Sequence, residues 1–483
     1  MIPTAEQLAI IEAAQNTTSN LACIARAGAA KTTTLVLIAQ ALPKVDILCL
    51  SFNKAIAVEM NARLPANCEA KTLHALGYKA WYNLTRKKTT VTASKVYHLT
   101  KATIEAWDDL GEKAILFEEI SDILQAIATG KNYGWLPDAY KGHWKPLTTD
   151  DELEELLPMS YSPAAWDVIK SVSVQSFKQA LSGTLDFDDM VFCPAICSVS
   201  WPSPTLTLVD ESQDLSSLNH HILSKIVKNR RIIAVGDPCQ AIYGFRGAST
   251  NSMSELTRQF SMTTFYLTMT FRCASSIVTN AHWRAPDMVA YPSNAVGEVL
   301  RPITWQPDDI TDGDAVICRN NAPLFALAIR LIRDGRLPKL SGRDVGQAIK
   351  KVMAKLGKKA TPKAEALEAL VRWEAAELAK AKDGAKGRVK DMTACIEVIL
   401  AEVSFLGEAT TYLDHLLARE GRINLMTGHK AKGLEFDSVF FLDQQLCRMK
   451  YEQDQNLKYV IETRAKTRLV YVTSKSYVSG GVA

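Results

Sequence analysis

The chain of 483 residues is too long for one ordinary hydrophobic core, so we expect several domains. Its hydrophobic content of 47% and charged content of 22% are typical of a soluble globular protein, and its net charge of +4 neither requires nor excludes nucleic acid as a partner. The sequence holds no apolar run near the ~20 residues that cross a bilayer and no signal-peptide pattern at its N-terminus, so we expect no membrane partner.

The ten cysteines are scattered along the chain. The closest pair, Cys193 and Cys197, has three residues between its members and no second pair or histidine nearby. Core positions are therefore favoured over a zinc site. Scattered cysteines of this kind suit a reducing compartment, and we expect a cytoplasmic protein of a bacterial or phage-infected cell.

The first residues predict an alternation of helices and strands. Thr4 to Ala14 is typical of a capped amphipathic helix, because Thr4 can serve as the N-cap and Gln7 follows three residues later. The predicted elements after it are the strand Leu21–Ala25, the helix Thr33–Leu42, the strand Ile47–Ser51 and the helix Asn53–Leu64. This order is that of a parallel sheet of the nucleotide-binding type.

A mostly helical stretch over residues 75–195 interrupts this sheet, which resumes with the predicted strands Leu206–Val209 and Ile232–Val235. A second set of strands is predicted at Phe265–Thr268, Ala315–Cys318, Ser438–Leu442 and Leu469–Val472. Between them, residues 342–418 are predicted to be wholly helical. The fold class is therefore α/β, with two parallel sheets that each carry a mainly helical insertion.

Residues 341–390 carry a local charge of +7, from 13 Lys/Arg against 6 Asp/Glu. A solvated helix face is favoured over a dedicated DNA patch for this segment, although the pattern allows both.

Acidic and amide side chains follow both strands at which the first sheet resumes. They are Asp210, Glu211 and Gln213 after the first strand, and Asp237 and Gln240 after the second. Such residues at the carboxyl edge of an open α/β sheet lie where ligands bind. The second run continues into aromatic and cationic residues suited to nucleic acid, and this adjacency indicates a motor.

The sequence ARAGAAKT at residues 25–32 lies between a strand and a helix, where backbone N–H groups can hold phosphates. Lys31 would reach the β- and γ-phosphates, and the Thr32 hydroxyl would bind Mg²⁺. Ala25 and Ala30 replace the two expected glycines, so the loop alone is equally consistent with a plain strand–turn–helix. The residues predicted to hold the nucleotide here are Ala27, Gly28, Ala29, Ala30, Lys31, Thr32 and Thr33.

The acidic tract supports the nucleotide interpretation. Asp210 is placed to hold Mg²⁺, and Glu211 to orient or deprotonate the attacking water. Gln213 and Gln240 are amides suited to sensing a γ-phosphate. Together with Lys31, these residues predict nucleotide hydrolysis.

The chain resembles superfamily 1 DNA helicases of the UvrD/PcrA/Rep type, with that family's motifs in order over almost its full length. The matching segments are SFNKAIAVEM (51–60), KTLHALG (71–77), LDFDDM (185–190), GDPCQAIYGFRGA (236–248), LTMTFRC (267–273), LMTGHKAKGLEFDSVFF (425–441) and VIETRAKTRLVYV (460–472). The resemblance implies ATP and Mg²⁺ as cofactors.

The resemblance also implies roles around the nucleotide. Gln7 would read adenine, Phe271 would stack on it, and Glu435 would bind the ribose. Arg272 and Arg464 would reach the γ-phosphate, although ordinary surface ion pairs are the alternative for both arginines.

Single-stranded DNA is the implied partner, and the family motifs assign it Phe52, His74, Tyr243, Phe245 and Arg246. Stacking of bases on aromatic rings is worth ~1–3 kcal/mol per base and tolerates any sequence, as a translocase requires. For Tyr243, core packing is an equally good interpretation.

The resemblance further implies two RecA-like lobes with insertions. They are lobe 1A (1–74 and 196–255), subdomain 1B (75–195), lobe 2A (256–341 and 419–483) and subdomain 2B (342–418).

The function implied is ATP-dependent, 3′→5′ movement on single-stranded DNA with strand separation, acting on tailed or forked duplexes as a monomer or with weak self-association. Two alternatives stay open. One is a DNA-stimulated ATPase that displaces proteins with little unwinding, and the other is an ATP-dependent DNA clamp with weak hydrolysis.

Overall fold

A computed structural model describes residues 3–51, 53–140, 144–244 and 251–478. The chain divides into two compact units by its internal contacts. The first unit comprises Met1–Ala25 and Ala30–Leu267, and the second comprises Arg26–Ala29 and Thr268–Ala483. The chain therefore passes from one unit to the other three times, twice inside the ARAGAAKT loop and once after residue 267.

The first unit is built on a six-stranded parallel sheet. In chain order, its strands are β1 (Leu21–Ala25), β2 (Ile47–Leu50), β3 (Cys68–Lys71), the short pair β4 (Thr90–Val91) and β5 (Thr184–Leu185), β6 (Leu206–Val209), β7 (Arg231–Gly236) and β8 (Thr263–Leu267). The order across the sheet is β3-β2-β6-β7-β1-β8, while β4 pairs with β5 separately.

Burial explains the sequences of the central strands of this sheet. All four residues of both β2 and β6 are buried, as expected where helices cover both faces of a parallel sheet. Because β1, β6 and β7 are parallel neighbours in the central part of the sheet, their carboxyl ends lie at one edge.

Twelve helices are described in the first unit. They are α1 (Ala5–Asn16), α2 (Lys31–Ala41), α3 (Lys54–Asn61), α4 (Leu73–Thr85), α5 (Lys95–Glu105), α6 (Leu110–Glu118), α7 (Ile120–Asn132), α8 (Asp150–Leu156), α9 (Pro163–Ser182), α10 (Asp189–Ile196), α11 (Ser217–Ile226) and α12 (Ser252–Gln259). Helix α1 begins with the predicted capping box, in which Thr4 and Gln7 hydrogen-bond reciprocally. That prediction is confirmed.

The second unit contains another six-stranded parallel sheet. Its strands are β9 (Met269–Thr270), β10 (Val289–Ala290), β11 (Glu298–Leu300), β12 (Ala315–Cys318), β13 (Pro338–Leu340), β14 (Ile423–Thr427), β15 (Phe436–Leu442) and β16 (Ala465–Val472). The sheet order is β11-β16-β15-β12-β14-β13, and β9 and β10 form a separate pair.

Helices of the second unit are α13 (Ser275–Ala281), α14 (Ala322–Arg333), α15 (Arg343–Leu356), α16 (Lys363–Lys380), α17 (Asp383–Ala401), α18 (Leu406–Ala418), α19 (Gly428–Ala431) and α20 (Glu452–Glu462). The four helices α15 to α18 occupy the segment that was predicted to be wholly helical. Their apolar faces join the core of the second sheet, since Ile349, Leu370, Ile399 and Leu413 belong to the same buried cluster as Val316.

Two parallel sheets flanked by helices confirm the predicted α/β fold. The prediction that the strand Phe265–Thr268 belongs to the second set is wrong, because residues 263–267 form β8, which pairs with β1 in the first sheet. An apolar run does not reveal which sheet it joins, and the crossover through α12 returns the chain to the first one. The division into four subdomains stays a prediction. Among the described residues, no helix is long and apolar enough to cross a membrane.

Candidate nucleotide site

The phosphate loop joins β1 to α2 with two residues in the left-handed backbone region. Gly28 has φ 73° and Ala30 has φ 56°, the latter at the N-cap of α2. Glycine is required at position 28, because a Cβ there would contact the Thr270 hydroxyl and lie 2.7 Å from the Cβ of Arg272. Ala30, by contrast, adopts a conformation that costs a residue with a side chain about 1–2 kcal/mol.

We expect Ala30→Gly to raise kcat/KM for ATP by about fivefold, which corresponds to about 1 kcal/mol. Glycine adopts the left-handed conformation without strain and removes a methyl group beside the expected phosphates. The free energy of unfolding should change by less than about 1 kcal/mol, since the strain relieved is offset by the greater freedom of glycine in the unfolded chain. Steady-state ATPase kinetics measure the effect.

The matched control is Ala29→Gly, because Ala29 is not among the residues with positive φ. A rise in kcat/KM in the control as large as that of the Ala30 variant would show that backbone strain at residue 30 is not the cause.

Two polar pairs connect the start of α2 to the end of β6. The Thr32 hydroxyl donates to Asp210 Oδ2 at 2.6 Å, and Lys31 Nζ lies 3.2 Å from Glu211 Oε2. Burial, followed by the neighbouring Glu211 carboxylate, raises the pKa of Asp210 to about 6. Burial alone would lower the pKa of Lys31, but Glu211, Asp237 and Asp210 raise it above its ordinary value. Lys31 is therefore a cation held among carboxylates.

The oxygen atoms of Thr32 and Asp210 are ligands of the kind that Mg²⁺ prefers. A hydroxyl and a carboxylate oxygen lie together at Thr32 and Asp210, and Mg²⁺ prefers oxygen ligands, of which water and substrate phosphates usually supply most. In the part of the chain that the structure describes, no group of three or more His, Cys, Asp or Glu is placed to hold a metal. A site of two protein oxygens completed by water and phosphate agrees with that finding.

A row of hydrogen bonds leads from Glu211 to the end of β7. Gln213 Nε2 donates to Glu211 Oε2 at 2.6 Å, and Gln213 Oε1 accepts from the Asp237 amide at 3.0 Å. Gln240 Nε2 then donates to Asp237 Oδ2 at 2.6 Å. Gln213, Asp237 and Gln240 are all buried. Of the predicted γ-phosphate sensors, Gln213 is thus bonded directly to the predicted catalytic carboxylate, and Gln240 is connected to it through Asp237 and Gln213.

Gln7 is buried, and its side chain is engaged at both ends. Its Oε1 accepts from the Thr4 amide, and its Nε2 donates to the Thr34 hydroxyl at 2.9 Å. It lines a cavity of about 350 Å³, within the ~300–1,000 Å³ range of small-molecule pockets. The other lining residues are Pro3, Thr33, Val36, Leu37, Gln40 and Arg63.

Within the second unit, Arg272 Nε donates to Glu435 Oε2 at 2.7 Å. The structure therefore pairs a predicted γ-phosphate ligand with the predicted ribose ligand. The ring of Phe271 packs against Tyr291 with centroids 4.8 Å apart.

Arg464 is buried rather than at the surface. Its guanidinium donates to the carbonyl oxygens of Val460 and Leu434 at 3.0 and 3.1 Å. A surface ion pair was the alternative for this arginine, and its burial contradicts that alternative.

The predicted DNA residues are only partly described. Phe52, Phe245 and Arg246 lie outside the described residues. His74 is exposed in the first turn of α4, and Tyr243 is half-buried three residues after Gln240.

The sequence did not indicate Arg63 or Thr34 as neighbours of the site. Arg63 donates to the Thr33 hydroxyl at 3.0 Å, although the two residues are 30 positions apart. The pairing brings the chain that follows α3 to the first turn of α2, and no local pattern could have predicted it.

Comparison with known proteins agrees with these motifs. The UvrD/REP helicase N-terminal domain matches residues 4–261, and the UvrD-like helicase C-terminal domain matches residues 335–476. F-box DNA helicase protein 1 of Schizosaccharomyces pombe is 24% identical over 97% of this chain and 57% of its own length.

F-box DNA helicase 1 of Gallus gallus is 24% identical over 94% of this chain and 47% of its own length. The Gabija protein GajB of Bacillus cereus is 23% identical over 55% of this chain and 62% of its own length. The chain thus spans about half the length of the F-box relatives. With both family domains in order and an α/β fold of two parallel sheets, the chain belongs to the UvrD/Rep family of superfamily 1 DNA helicases.

Proposed function

We propose that the protein is an ATP-dependent DNA helicase that moves 3′→5′ along single-stranded DNA and couples ATP hydrolysis to strand separation. The observation that carries the proposal is the continuous row of hydrogen bonds from Thr32 through Asp210 and Glu211 to Gln240. This row connects groups suited to phosphate chemistry with the segment that contains the predicted DNA residues.

Hydrolysis would use residues at the edge of the first sheet. Lys31 would bind the β- and γ-phosphates, and Glu211 would orient the attacking water and accept its proton. Thr32 and Asp210 would hold Mg²⁺, which neutralises charge on the phosphates when bound. The backbone of Ala27, Gly28, Ala29 and Ala30 would supply N–H donors to the phosphates.

The family motifs assign further nucleotide roles to residues of the second unit. Phe271 would stack on adenine, and Glu435 would bind the ribose. Arg272 and Arg464 would stabilise the charge of the γ-phosphate. For this, Arg464 would exchange its hydrogen bonds to the carbonyls of Val460 and Leu434 for hydrogen bonds to the phosphate.

Single-stranded DNA would be held by the aromatic and basic residues of the motifs, which are Phe52, His74, Tyr243, Phe245 and Arg246. Tyr243 follows Gln240 by three residues, so a change in the contacts of Gln240 would reach the DNA residues through a short stretch of chain. Tailed and forked duplexes are the proposed substrates, and the proposed state is a monomer or a weak self-associate.

One alternative has a specific observation in its favour. The left-handed Ala30 at the start of α2 could slow turnover enough to leave an ATP-dependent DNA clamp with weak hydrolysis. Such a clamp would bind DNA more tightly with ATP but would not separate strands.

An unwinding assay on duplexes with a 3′ tail, a 5′ tail or blunt ends tests the function and its direction together. We expect ATP-dependent strand separation on the 3′-tailed duplex at least about tenfold faster than on the other two, since a protein that moves 3′→5′ on the tailed strand is positioned to enter the duplex only from a 3′ tail. Lys31→Ala is the control that lacks the phosphate-binding cation.

Faster separation from the 5′ tail would reverse the proposed polarity. ATP-dependent binding to the 3′ tail without separation, together with a hydrolysis rate equal to that of Lys31→Ala, would support the clamp instead.

A further inference from the structure

Glu211 has an unusual backbone conformation, and the next residue, Ser212, is held by hydrogen bonds to its hydroxyl and to its carbonyl. Its φ of 49° and ψ of 40° lie in the left-handed region, which few residues with side chains adopt. The Ser212 hydroxyl donates to the Val235 carbonyl at 2.7 Å, and the Ser212 carbonyl accepts from the Ser252 hydroxyl at 2.6 Å. Strained conformations at functional sites persist when such surroundings hold them.

His220 extends this arrangement by one hydrogen bond. Its Nε2 lies 2.9 Å from the Ser252 oxygen. Because the single proton of Ser252 is donated to Ser212, the Ser252 oxygen must accept, and His220 Nε2 must therefore carry the proton. Burial lowers the pKa of His220, although Glu255 and Gln259 oppose the shift, so the neutral form with its proton on Nε2 agrees with this geometry.

The three side chains Ser252, His220 and Glu255 are those of a hydrolytic triad, but their geometry excludes that use. Ser252 is 0% exposed, so no substrate can reach its oxygen. The closest Glu255 oxygen lies 4.0 Å from His220 Nδ1. The hydrogen bonds instead lead inward, from α11 through the first residue of α12 to the residue after Glu211.

Close packing joins the start of α12 to the same turn. A Cβ added at Gly236 would lie 2.7 Å from Gln213 Oε1, 2.8 Å from Met253 Sδ and 2.9 Å from Ser212 Oγ. The turn therefore has little room to shift independently of α12.

We propose that Ser252 and His220 are positioning residues that hold the Glu211 carboxylate in place for ATP hydrolysis by fixing the main chain of Ser212. The inference rests on the proposed function and deepens it, because it identifies what keeps the catalytic group in its strained conformation. Ser252 also begins the helix that follows, in sequence, the motif with the predicted DNA residues. The hydrogen-bonded series His220–Ser252–Ser212, called the relay from here on, thus links Glu211 to that part of the chain.

The test compares steady-state ATP hydrolysis with single-stranded DNA in four variants. Ser252→Ala and His220→Leu should lower kcat by about tenfold, since a catalytic group misplaced by ~1 Å loses up to ~100-fold in rate. KM for ATP should stay within about twofold, because nucleotide binding does not depend on the relay. His220→Gln, which keeps an N–H donor, should retain most of the rate. Ser224→Ala is the matched control, since it loses a similar serine-to-carbonyl bond elsewhere on α11.

A second comparison separates positioning from general damage to the fold. In a Glu211→Gln background, adding Ser252→Ala should cause no further fall in kcat, because the group that the relay positions has already been neutralised. An equal fall in both backgrounds, or a His220→Gln variant as slow as His220→Leu, would overturn the inference while the proposed function stands. A wild-type protein that does not hydrolyse ATP would overturn the proposed function, and the inference with it.

Discussion

Glu211→Gln is expected to lower kcat for DNA-stimulated ATP hydrolysis by about 10²–10⁴-fold, the usual contribution of a general base. In free energy of activation this corresponds to about 3–5 kcal/mol. KM for ATP should change by less than about threefold, because the substitution keeps the size of the side chain and leaves the phosphate-binding groups in place.

The contacts of Glu211 give the physical reason for this pattern. Its carboxylate lies 3.2 Å from Lys31 Nζ and accepts a hydrogen bond of 2.6 Å from Gln213. A glutamine at position 211 can still accept from Gln213 through its Oε1 atom, so the hydrogen-bonded row should persist. The substitution removes the negative charge that a water proton would need.

Initial rates over a range of ATP concentrations, with and without single-stranded DNA, measure both parameters. Glu69→Gln is a suitable control, because Glu69 is an exposed carboxylate that pairs with Lys71 away from the site. If Glu211→Gln kept kcat within about threefold of the wild type, Glu211 would not be the base, and the role would have to be sought in a neighbouring carboxylate.

The central strands were predictable from sequence because parallel strands that are buried on both faces are continuous apolar runs. Strand β6 was predicted to the residue, and the polar groups that follow it do lie beside the start of α2. The edge strand β3, with the sequence CEAK, has only one buried residue and so gave no such signal. Membership of β8 in the first sheet was not predictable either, because the residues of a strand do not indicate which distant strand it pairs with.

In the candidate site, too, the features that depend on long-range contacts could not be predicted from the sequence. The sequence pattern indicated Ala30 as the departure in the phosphate loop, but the strain at that residue is known only from its φ of 56°. The burial of Arg464 could not be predicted from the motif, since a buried cation needs nearby acceptors, and those of Arg464 are the main-chain carbonyls of Val460 and Leu434. Residue type predicts chemistry, whereas these contacts depend on elements far apart in sequence.

Asp189→Asn is expected to have the largest effect on stability, a loss of about 3–5 kcal/mol in the free energy of unfolding. Asp189 is 0% exposed and forms ion pairs with Lys95 and, at 2.8 Å, with Lys131. Removing one partner of a buried ion pair leaves uncompensated charge in a low dielectric. Although burial by itself would raise the pKa of Asp189, Lys131 and Lys95 hold it below its ordinary value.

The direction of that pKa shift fixes the pH dependence of the loss. A depressed pKa stabilises the folded state above the unfolded-state pKa of about 3.9, and the contribution disappears as pH falls through the folded-state value. The difference in the free energy of unfolding between wild type and Asp189→Asn should therefore have its largest value at neutral pH and decrease below about pH 4. Urea unfolding followed by tryptophan fluorescence at several pH values measures it.

Asp188→Asn is the matched control, because it makes the same chemical change one residue away. Its effect on the free energy of unfolding is expected to have the opposite sign. Burial raises the pKa of Asp188 to about 6, with Lys131 opposing the shift and Asp186 and Asp189 adding to it. The free energy of unfolding therefore falls as pH rises from the unfolded-state pKa of about 3.9 to the folded-state value, and the loss is complete above it. An asparagine at position 188 should be neutral or stabilising at neutral pH. Equal losses in the two variants would show that the site responds to any change of side chain rather than to the pairing of Asp189 with its two lysines.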